Sequence, residues 1–236
     1  MGYGYGYYYD WTYILVIIAA ALSLIASQRV KSTFKKYSAI RSTAGMTGAE
    51  VAAKALHDNG VYDVRVMHVN GELTDHYDPR SKTVNLSDPV YNSSSVAAIG
   101  VAVHECGHAM QHNESYAPLA IRSAIVPVAN FGSKAAIPIV IAGLILSFRP
   151  LLFAGILLFT ACVAFQVVTL PVEFNASARA LEYLKKSNIL DSQELSGSEK
   201  VLKAAAMTYV AAAAGAVLNL LRLIILSRSR NGRRGD

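Results

Sequence analysis

Five consecutive residues, His104-Glu105-Cys106-Gly107-His108, have the types and spacing most able to do chemistry in this sequence. Residues four apart lie one above the other on a helix, so His104 and His108 can both reach one metal ion. Glu105 lies about 100° round the same helix, where its carboxylate can take a proton from a water molecule at the ion. This layout is typical of zinc hydrolases, and it predicts two metal ligands and a general base.

A buried helix is needed to position this motif, and the flanking residues predict one. Ser93-Ser94-Ser95 offers residues that cap a helix start, and 96–103 then runs without proline or charge into the motif. Gly107 weakens a helix by about 1 kcal/mol relative to alanine. We therefore expect another element, or the metal, to approach the helix closely at Gly107. Cys106 points away from the ligand face, which favours a small packing residue over a metal ligand.

The composition predicts a membrane protein, since 53% of the residues are hydrophobic, 16% are charged and the mean hydropathy is +0.33. A helix crosses a bilayer with about 20 apolar residues. Phe148-Arg149-Pro150 predicts a tight turn, so the middle two apolar stretches form a helical hairpin. Lys134 interrupts the second stretch, so either its side chain snorkels or that span is shortened. The stretches with few or no charges are residues 11–28, 123–148, 150–172 and 204–226.

The first stretch is interpreted as an uncleaved anchor with an aromatic belt at its outer end, since the Tyr/Gly-rich segment before it has no lysine or arginine. By the positive-inside rule, residues 29–121 and the active site lie on the cytoplasmic face of a bacterial-type plasma membrane. The basic residues that follow the anchor are Arg29, Lys31, Lys35, Lys36 and Arg41. The arginines of the C-terminal tail indicate that the tail lies on the same face as residues 29–121. Four crossings would instead place the tail on the opposite face. We therefore expect 204–226 either to span or to lie in the interface or against the catalytic region.

A catalytic zinc ion needs a third protein ligand. Gln111 and Glu114 stand where a metzincin has glycine and histidine, which excludes that class. Glu173 is the favoured ligand, because it follows the hairpin, whose two crossings return the chain to the membrane face of the histidines. Two alternatives stay open: Glu173 caps a helix that starts after Pro171, or Asp191 is the ligand, as an aspartate is in intramembrane site-2 proteases.

Further blocks carry a resemblance to a known family, namely Glu173-Phe174-x-Ala176 and residues 71–80, 86–87, 90–91, 104–112 and 204–211. With them the chain resembles the membrane-bound neutral zinc metallopeptidases of the YugP type, a gluzincin family of multi-pass bacterial proteins. It is more distantly similar to the membrane heat-shock proteases and prenyl-protein proteases. The resemblance covers most of residues 45–222. It implies a mainly α membrane protein whose multi-pass helices carry a small α+β gluzincin-like catalytic domain, with the HExxH helix beside a short sheet.

The resemblance also implies one zinc ion per chain, held by His104, His108 and Glu173, with Glu105 as the catalytic base. One position departs from the gluzincin pattern. Ser177 stands where an aspartate orients a ligand histidine, and a hydroxyl does this more weakly. We therefore expect the zinc affinity or the orientation of a ligand ring to depend on another group as well.

A substrate strand and an oxyanion donor complete the site that the resemblance implies. Residues 83–87 are expected to form the edge strand of the sheet and to lie along an extended substrate. The candidates for contact with that substrate are Val84, Asn85 and Leu86. His112 lies two turns beyond His104, too far to share the ion, and is interpreted as an orienting or membrane-surface residue. The candidate donors to the oxyanion are Tyr209, Arg179 and His76.

The sequence divides into five regions on this interpretation. Residues 1–28 hold the N-terminal segment and anchor, and 29–121 form the cytoplasmic catalytic region. Residues 122–172 form the hairpin, 173–203 the third-ligand helix and a loop, and 204–236 an Ala-rich apolar helix with a basic tail.

Together these features predict a membrane-embedded zinc metalloendopeptidase that cleaves peptide bonds of membrane or juxtamembrane proteins. Its expected partners are protein or peptide substrates and membrane lipid. The net charge of +6 fits anionic lipid, and no aromatic-basic patch indicates nucleic acid. Two rivals stay open, a catalytically inactive zinc-binding scaffold and a transporter whose histidines carry metal. The transporter is disfavoured, because Lys134 and Arg222 are the only charged residues within the apolar stretches.

Overall fold

The computed structural model describes residues 10–231, the last four by their backbone alone. The Tyr/Gly-rich part of the predicted aromatic belt, residues 1–9, and the end of the basic tail, 232–236, lie outside the described residues. The elements in chain order are α1 Tyr13–Ser38, α2 Gly48–Asp58, β1 Arg65–His68, β2 His76–Asp78, β3 Thr83–Leu86, α3 Asp88–Tyr91, α4 Val96–Asn113, α5 Ala117–Ile145, α6 Arg149–Lys186 and α7 Ser192–Asn231. The predicted mainly helical class with a small sheet is confirmed.

Four helices, α1, α5, α6 and α7, are long and apolar enough to cross a membrane. Large apolar side chains on their outer faces are left uncovered, with 62–69% of their surface exposed in the cases of Phe131, Phe153 and Leu157. Such uncovered apolar surface is expected where hydrocarbon surrounds a helix in place of water. The predicted apolar stretches are therefore all present as helices, and together they indicate a multi-pass membrane protein.

The predicted hairpin is formed by α5 and α6, and small residues allow these helices to approach closely. A Cβ atom on Gly143 would lie 2.6 Å from the backbone nitrogen of Leu152. The turn between the helices comprises residues 146–148. Pro150 already belongs to the first turn of α6, where the missing N–H of proline needs no partner. The turn thus lies slightly earlier in the chain than predicted.

The second helix of the hairpin does not end where the apolar stretch ends. It continues through Pro171 as far as Lys186, so Glu173 lies in its interior. The alternative interpretation of Glu173 as a cap at a helix start is therefore wrong, because the helix begins at Arg149. The region boundary predicted at residue 173 falls inside α6, and the one at 204 falls inside α7.

The last helix, α7, runs antiparallel to α1. Gly197, near the start of α7, lies against the ring of Tyr37 at the end of α1. Arg222, near the end of α7, pairs with Asp10 at 3.1 Å, just before α1 begins. The last apolar stretch therefore follows α1 as a span would, instead of lying across it in the interface. The start of α1 and the end of α7 therefore lie at the same end of the helix bundle.

The metal motif lies in α4, between the small sheet with α2 on one side and the membrane helices on the other. The side chain of Ser95 caps α4 by accepting a hydrogen bond from the backbone N–H of Ala98 at 3.2 Å, within the predicted capping segment. Buried side chains around α4 include Val51, Leu56, Val84, Leu86, Ile99 and Val103, joined by Leu184 of α6 and Leu202 of α7. Since α6 and α7 contribute to this core, residues 29–121 pack on the membrane helices, as their small number predicts.

The sheet has the strand order β1-β3-β2, so β3 is its central strand. Its partners are β1 in parallel and β2 in antiparallel register. The expectation that residues 83–87 form an edge strand is therefore wrong, because backbone groups on both sides of β3 are already paired. All four residues of β3 are buried, so Val84, Asn85 and Leu86 are not available to a substrate strand. The strand at the edge on the side of α4 is β2.

Candidate metal centre

The three predicted ligands converge. His104 and His108 lie one turn apart on α4, Glu173 lies on α6, and one ligand atom from each lies within 4.8 Å of the others. Oε2 of Glu173 is 3.4 Å from Nε2 of His104 and 3.5 Å from Nε2 of His108. Two ligands about 2.1 Å from a tetrahedral zinc ion lie about 3.4 Å apart, so this spacing fits a shared ion.

The oxygen of Glu173 that faces the two rings has no hydrogen-bond partner, although it is buried. Glu173 as a whole is only 3% exposed. A buried carboxylate without compensation costs several kcal/mol. A cation placed between this oxygen and the two Nε2 atoms would remove that cost, and two imidazoles with one carboxylate form a donor set that zinc prefers. The residues present therefore fit a zinc ion.

His108 is oriented by a fully buried glutamine. Nδ1 of His108 lies 3.0 Å from Oε1 of Gln111, whose amide nitrogen donates to the carbonyl of Val172 at 2.8 Å and to Oδ1 of Asn175 at 2.9 Å. Because a carbonyl oxygen can only accept, these bonds fix which end of the Gln111 amide faces the ring. The proton of neutral His108 is therefore on Nδ1, and the lone pair of Nε2 is left for the metal.

His104 is oriented by the residue that departs from the gluzincin pattern. Nδ1 of His104 lies 3.1 Å from the hydroxyl of Ser177, one turn beyond Glu173 on α6. The hydroxyl thus stands at the ring atom that an aspartate would contact. Sequence reasoning missed Gln111 and Asn175 as orienting residues. For Gln111 the signal was its spacing of three residues from His108, which puts it on the ligand face, whereas no local spacing indicated Asn175.

The electrostatics of the centre favour a positive charge. Burial by itself lowers the pKa of His108, but the neighbouring carboxylates of Glu173 and Glu105 outweigh burial and raise that pKa above its ordinary value. Glu105 is itself only 8% exposed. Two buried carboxylates beside two imidazoles create a negative potential, and a divalent cation is the natural group to neutralise it.

The close approach predicted at Gly107 is confirmed, and the approaching element is α6. A Cβ atom on Gly107 would lie 2.6 Å from the carbonyl oxygen of Ala176 and 3.1 Å from its Cα. This contact brings Glu173 within reach of the two rings. Cys106 is fully buried on the other face of α4, and its thiol donates to the carbonyl of Ala52 at 3.5 Å. It is a packing residue, as predicted.

Substituting alanine for Gly107 is expected to lower stability and zinc affinity together. Alanine favours a helix over glycine by about 1 kcal/mol. Overpacking costs about 1–3 kcal/mol, and here the new methyl group meets backbone atoms that cannot rotate away. We expect Gly107→Ala to melt at a lower temperature and to bind zinc more weakly, because α4 must move away from α6. Thermal melting and zinc titration measure the two effects.

Gly215→Ala is the matched control for this substitution. The nearest atom to a Cβ at Gly215 is the Cβ of Ala19, at an ordinary contact distance of 3.5 Å. The control should therefore keep or slightly raise the melting temperature, with zinc affinity unchanged. If Gly107→Ala behaved like the control in both measurements, the proposed role of the close helix contact would be wrong.

Two cavities meet at the centre. The first, which we name the β2-side cavity, has a volume of about 800 Å³ and extends from β2 to α5. The second, named the α1-side cavity, has a volume of about 250 Å³ and is lined by apolar side chains of α1 and α7. Both are lined by Asp75, Glu105, Glu173 and Tyr209. The centre is therefore bordered by cavity space on two sides.

The three candidate donors to the oxyanion are placed differently. Tyr209 of α7 lines both cavities, and His76 of β2 lines the β2-side cavity. Nδ1 of His76 donates to the carbonyl of Thr74 at 2.8 Å. Arg179 lines neither cavity, because its guanidinium makes two bonds of 2.8 Å to the carboxylate of Glu114. The structure thus brings Tyr209 to the centre and His76 to the wall of the β2-side cavity, where Nε2 of His76 also accepts from the amide of Asn85 at 3.2 Å, but it brings Arg179 to neither.

Two further residues that the sequence singled out, Asp191 and His112, are hydrogen-bonded to other groups of the protein. Oδ1 of Asp191 accepts hydrogen bonds from the backbone N–H groups of Gln193 and Glu194, both at 2.8 Å, so it caps the start of α7. Asp191 lines neither cavity and is not among the converging ligand atoms of the described residues. His112 lines the β2-side cavity, where its Nδ1 lies 2.8 Å from the hydroxyl of Tyr77.

Comparison with known proteins agrees with this geometry. A family model described as "Putative neutral zinc metallopeptidase" matches residues 12–228. The chain belongs to this family. The chain is 49% identical over 208 residues to the "Putative membrane protease YugP" of Bacillus subtilis (strain 168), and the match covers 88% of this chain and 92% of that protein. No solved structure matches the chain.

Membership of the neutral zinc metallopeptidase family confirms the resemblance expected from the sequence. The family implies zinc, for which His104, His108 and Glu173 are the candidate ligands among the described residues. The relative's name and the four apolar helices agree in indicating a membrane protein.

Proposed function

We propose that the chain is a gluzincin-type zinc metalloendopeptidase that cleaves peptide bonds of membrane or juxtamembrane proteins at the bilayer surface. The observation that carries the proposal is the convergence of three ligand atoms within 4.8 Å of one another, beside Glu105, where two cavities meet. The orphaned oxygen of Glu173 and the fixed tautomer of His108 support zinc as the ion. The family description supports peptidase chemistry.

Each residue of the centre then has a chemical task. Zinc, when bound to His104, His108 and Glu173, supplies a Lewis acid that polarises the scissile carbonyl and makes water more acidic. The carboxylate of Glu105 takes a proton from the attacking water and delivers it to the leaving amine. The hydroxyl of Tyr209 is the favoured donor to the developing oxyanion, because Tyr209 lines both cavities together with Glu105.

The substrate is proposed to bind along β2, not along β3 as the family resemblance implied. Among the described residues β2 pairs with β3 alone, so one of its edges is open, and His76 and Tyr77 line the β2-side cavity. An extended peptide can add to such an edge through backbone hydrogen bonds. The cavity walls also include Leu119 and Val126 of the membrane helix α5. Apolar segments close to the bilayer are therefore the substrates that these walls favour.

Removal and return of the metal test the proposal. The purified protein in detergent should contain one zinc ion per chain and should cleave members of a quenched-fluorescence peptide set or a membrane-inserted test protein. Treatment with 1,10-phenanthroline should abolish cleavage, and an equimolar amount of zinc, but not of magnesium, should restore it. Bound zinc without cleavage of any of these substrates would contradict the peptidase and favour the inactive scaffold.

A further inference from the structure

A third cavity opens between α1, α6 and α7, beside the α1-side cavity with which it shares Ser177 and Leu202, and has a volume of about 750 Å³. We name it the basic cavity. It is lined by neither histidine of the metal motif and by neither Glu105 nor Glu173. Its four charged wall residues are all basic, and they come from two helices. They are Arg29 and Lys36 of α1 with Lys200 and Lys203 of α7.

The basic cavity lies where the helices change from apolar to charged sequence. Arg29 is the first charged residue after the apolar stretch 11–28 of α1. Lys203 directly precedes the apolar stretch 204–226 of α7, and Phe174 comes shortly after the apolar stretch of α6. In a bilayer this level is that of the lipid headgroups, since it borders the hydrocarbon-facing segments of all three helices.

The positive charge of the basic cavity is only partly neutralised by the protein. Lys203 pairs with Glu199 at 2.5 Å. Arg29, Lys36 and Lys200 are exposed and have no ion-pair partner among the described residues. The ammonium of Lys36 lies 5.5 Å from the centre of the Tyr37 ring. Three like charges around one cavity repel one another, and an anion held among them would convert that repulsion into attraction.

The remaining wall of the basic cavity is apolar. Phe174 and Leu181 of α6 and Met207 of α7 line it, and Phe174 and Met207 are 47% and 48% exposed. A soluble anion such as free phosphate would neutralise the charges but would leave these side chains in water. A phospholipid has both parts, a charged phosphate and acyl chains that cover apolar surface.

We propose that the basic cavity is a binding site for an anionic phospholipid. The phosphate lies among Arg29, Lys36 and Lys200, and the acyl chains descend along Phe174 and Met207 between the membrane helices. The site gives a role to basic residues of two helices, distant in sequence, that line one cavity. It is independent of the proposed peptidase activity.

Native mass spectrometry of the full chain in detergent tests this proposal. The protein is titrated with phosphatidylglycerol or with phosphatidylcholine of the same acyl chains. We expect one phosphatidylglycerol to be retained under conditions that remove all phosphatidylcholine. The triple variant Arg29→Gln, Lys36→Gln, Lys200→Gln should bind phosphatidylglycerol roughly 100-fold more weakly, since each basic residue contributes about fivefold at a lipid surface.

A matched control removes the same charge from residues outside the basic cavity. Lys31, Lys35 and Lys185 are exposed residues of α1 and α6 that do not line it, and their triple replacement by glutamine should leave phosphatidylglycerol binding unchanged. Zinc content serves as a check that both triple variants are folded. Equal losses in the two triple variants, or equal retention of the two lipids, would overturn the proposal.

A last experiment distinguishes a bound lipid from a bound soluble anion. Met207→Gln keeps all charges of the basic cavity but makes its apolar wall polar, so it should weaken phosphatidylglycerol binding several-fold. Inorganic phosphate at millimolar concentration should not displace the lipid. Displacement by phosphate, together with full binding by Met207→Gln, would show a phosphate site and overturn the lipid.

Discussion

Replacement of Glu105 by glutamine is expected to reduce kcat for peptide cleavage by about 10²–10⁴-fold while zinc stays bound. Glutamine has the shape of glutamate but cannot take a proton from water, and a positioned general base contributes a factor of this size. Glu105 is not one of the three converging ligand atoms, although it lines both cavities at the centre. Cleavage of a quenched-fluorescence peptide and zinc content per chain are the two measurements.

Glu114→Gln is the control for this experiment, because it makes the same change directly after α4. Glu114 lines neither cavity, and the guanidinium of Arg179 beside it lowers the pKa of its carboxyl group. Its replacement should keep cleavage and zinc content at the level of the wild type. Undiminished cleavage by Glu105→Gln would remove Glu105 from the mechanism, whereas loss of zinc in that variant would make it a ligand.

The features that were predictable from the sequence are those that depend on neighbouring residues. The spacing of His104 and His108 places both on one face of any helix, whatever surrounds it. The apolar stretches predicted four long helices because hydrocarbon solvent acts on each segment separately. The pairing of Glu173 with the histidines also followed from the sequence, since the number of crossings fixes the membrane face to which the chain returns.

The lengths of the helices were not predictable in the same way. Pro171 removes one backbone hydrogen bond and marks the end of the apolar stretch, yet α6 continues past it. Beyond Pro171 the helix buries Ala180 and Leu184 against α4 and its surroundings. Packing of this kind outweighs a local helix-breaking signal, and it depends on residues far away in the sequence.

The prediction that β3 is an edge strand was wrong for a related reason. The four-residue strand β3 has the same length as β1, and no local pattern states which of them lies at the edge of the sheet. The position is decided by burial, since β3 is covered on both faces while β1 is mostly exposed. The hydrogen bond between Gln111 and His108 was more predictable from the sequence, because their spacing on α4 already puts them on one face.

Replacement of Glu173 by alanine is expected to weaken zinc binding by more than about 100-fold, since loss of a mere orienting partner costs 10–100-fold. The same change should affect stability much less in the absence of metal. In the presence of a chelator, Glu173→Ala removes a buried oxygen that has no hydrogen-bond partner but also removes the attraction of the carboxylate for His108, so the melting temperature should change little. With zinc at about 100 times its Kd the wild type gains about 2.7 kcal/mol and should melt higher than the variant.

Asp191→Asn separates the two candidate third ligands. An asparagine oxygen can still accept the N–H groups of Gln193 and Glu194, so the cap of α7 and the fold are retained. Zinc affinity should therefore be unchanged, because Asp191 does not reach the centre. If Asp191→Asn lost zinc while Glu173→Ala kept full zinc affinity, Asp191 and not Glu173 would be the third ligand. The zinc dependence of the difference in melting temperature adds a test that activity cannot give, since only loss of a ligand removes the stability gained from bound zinc.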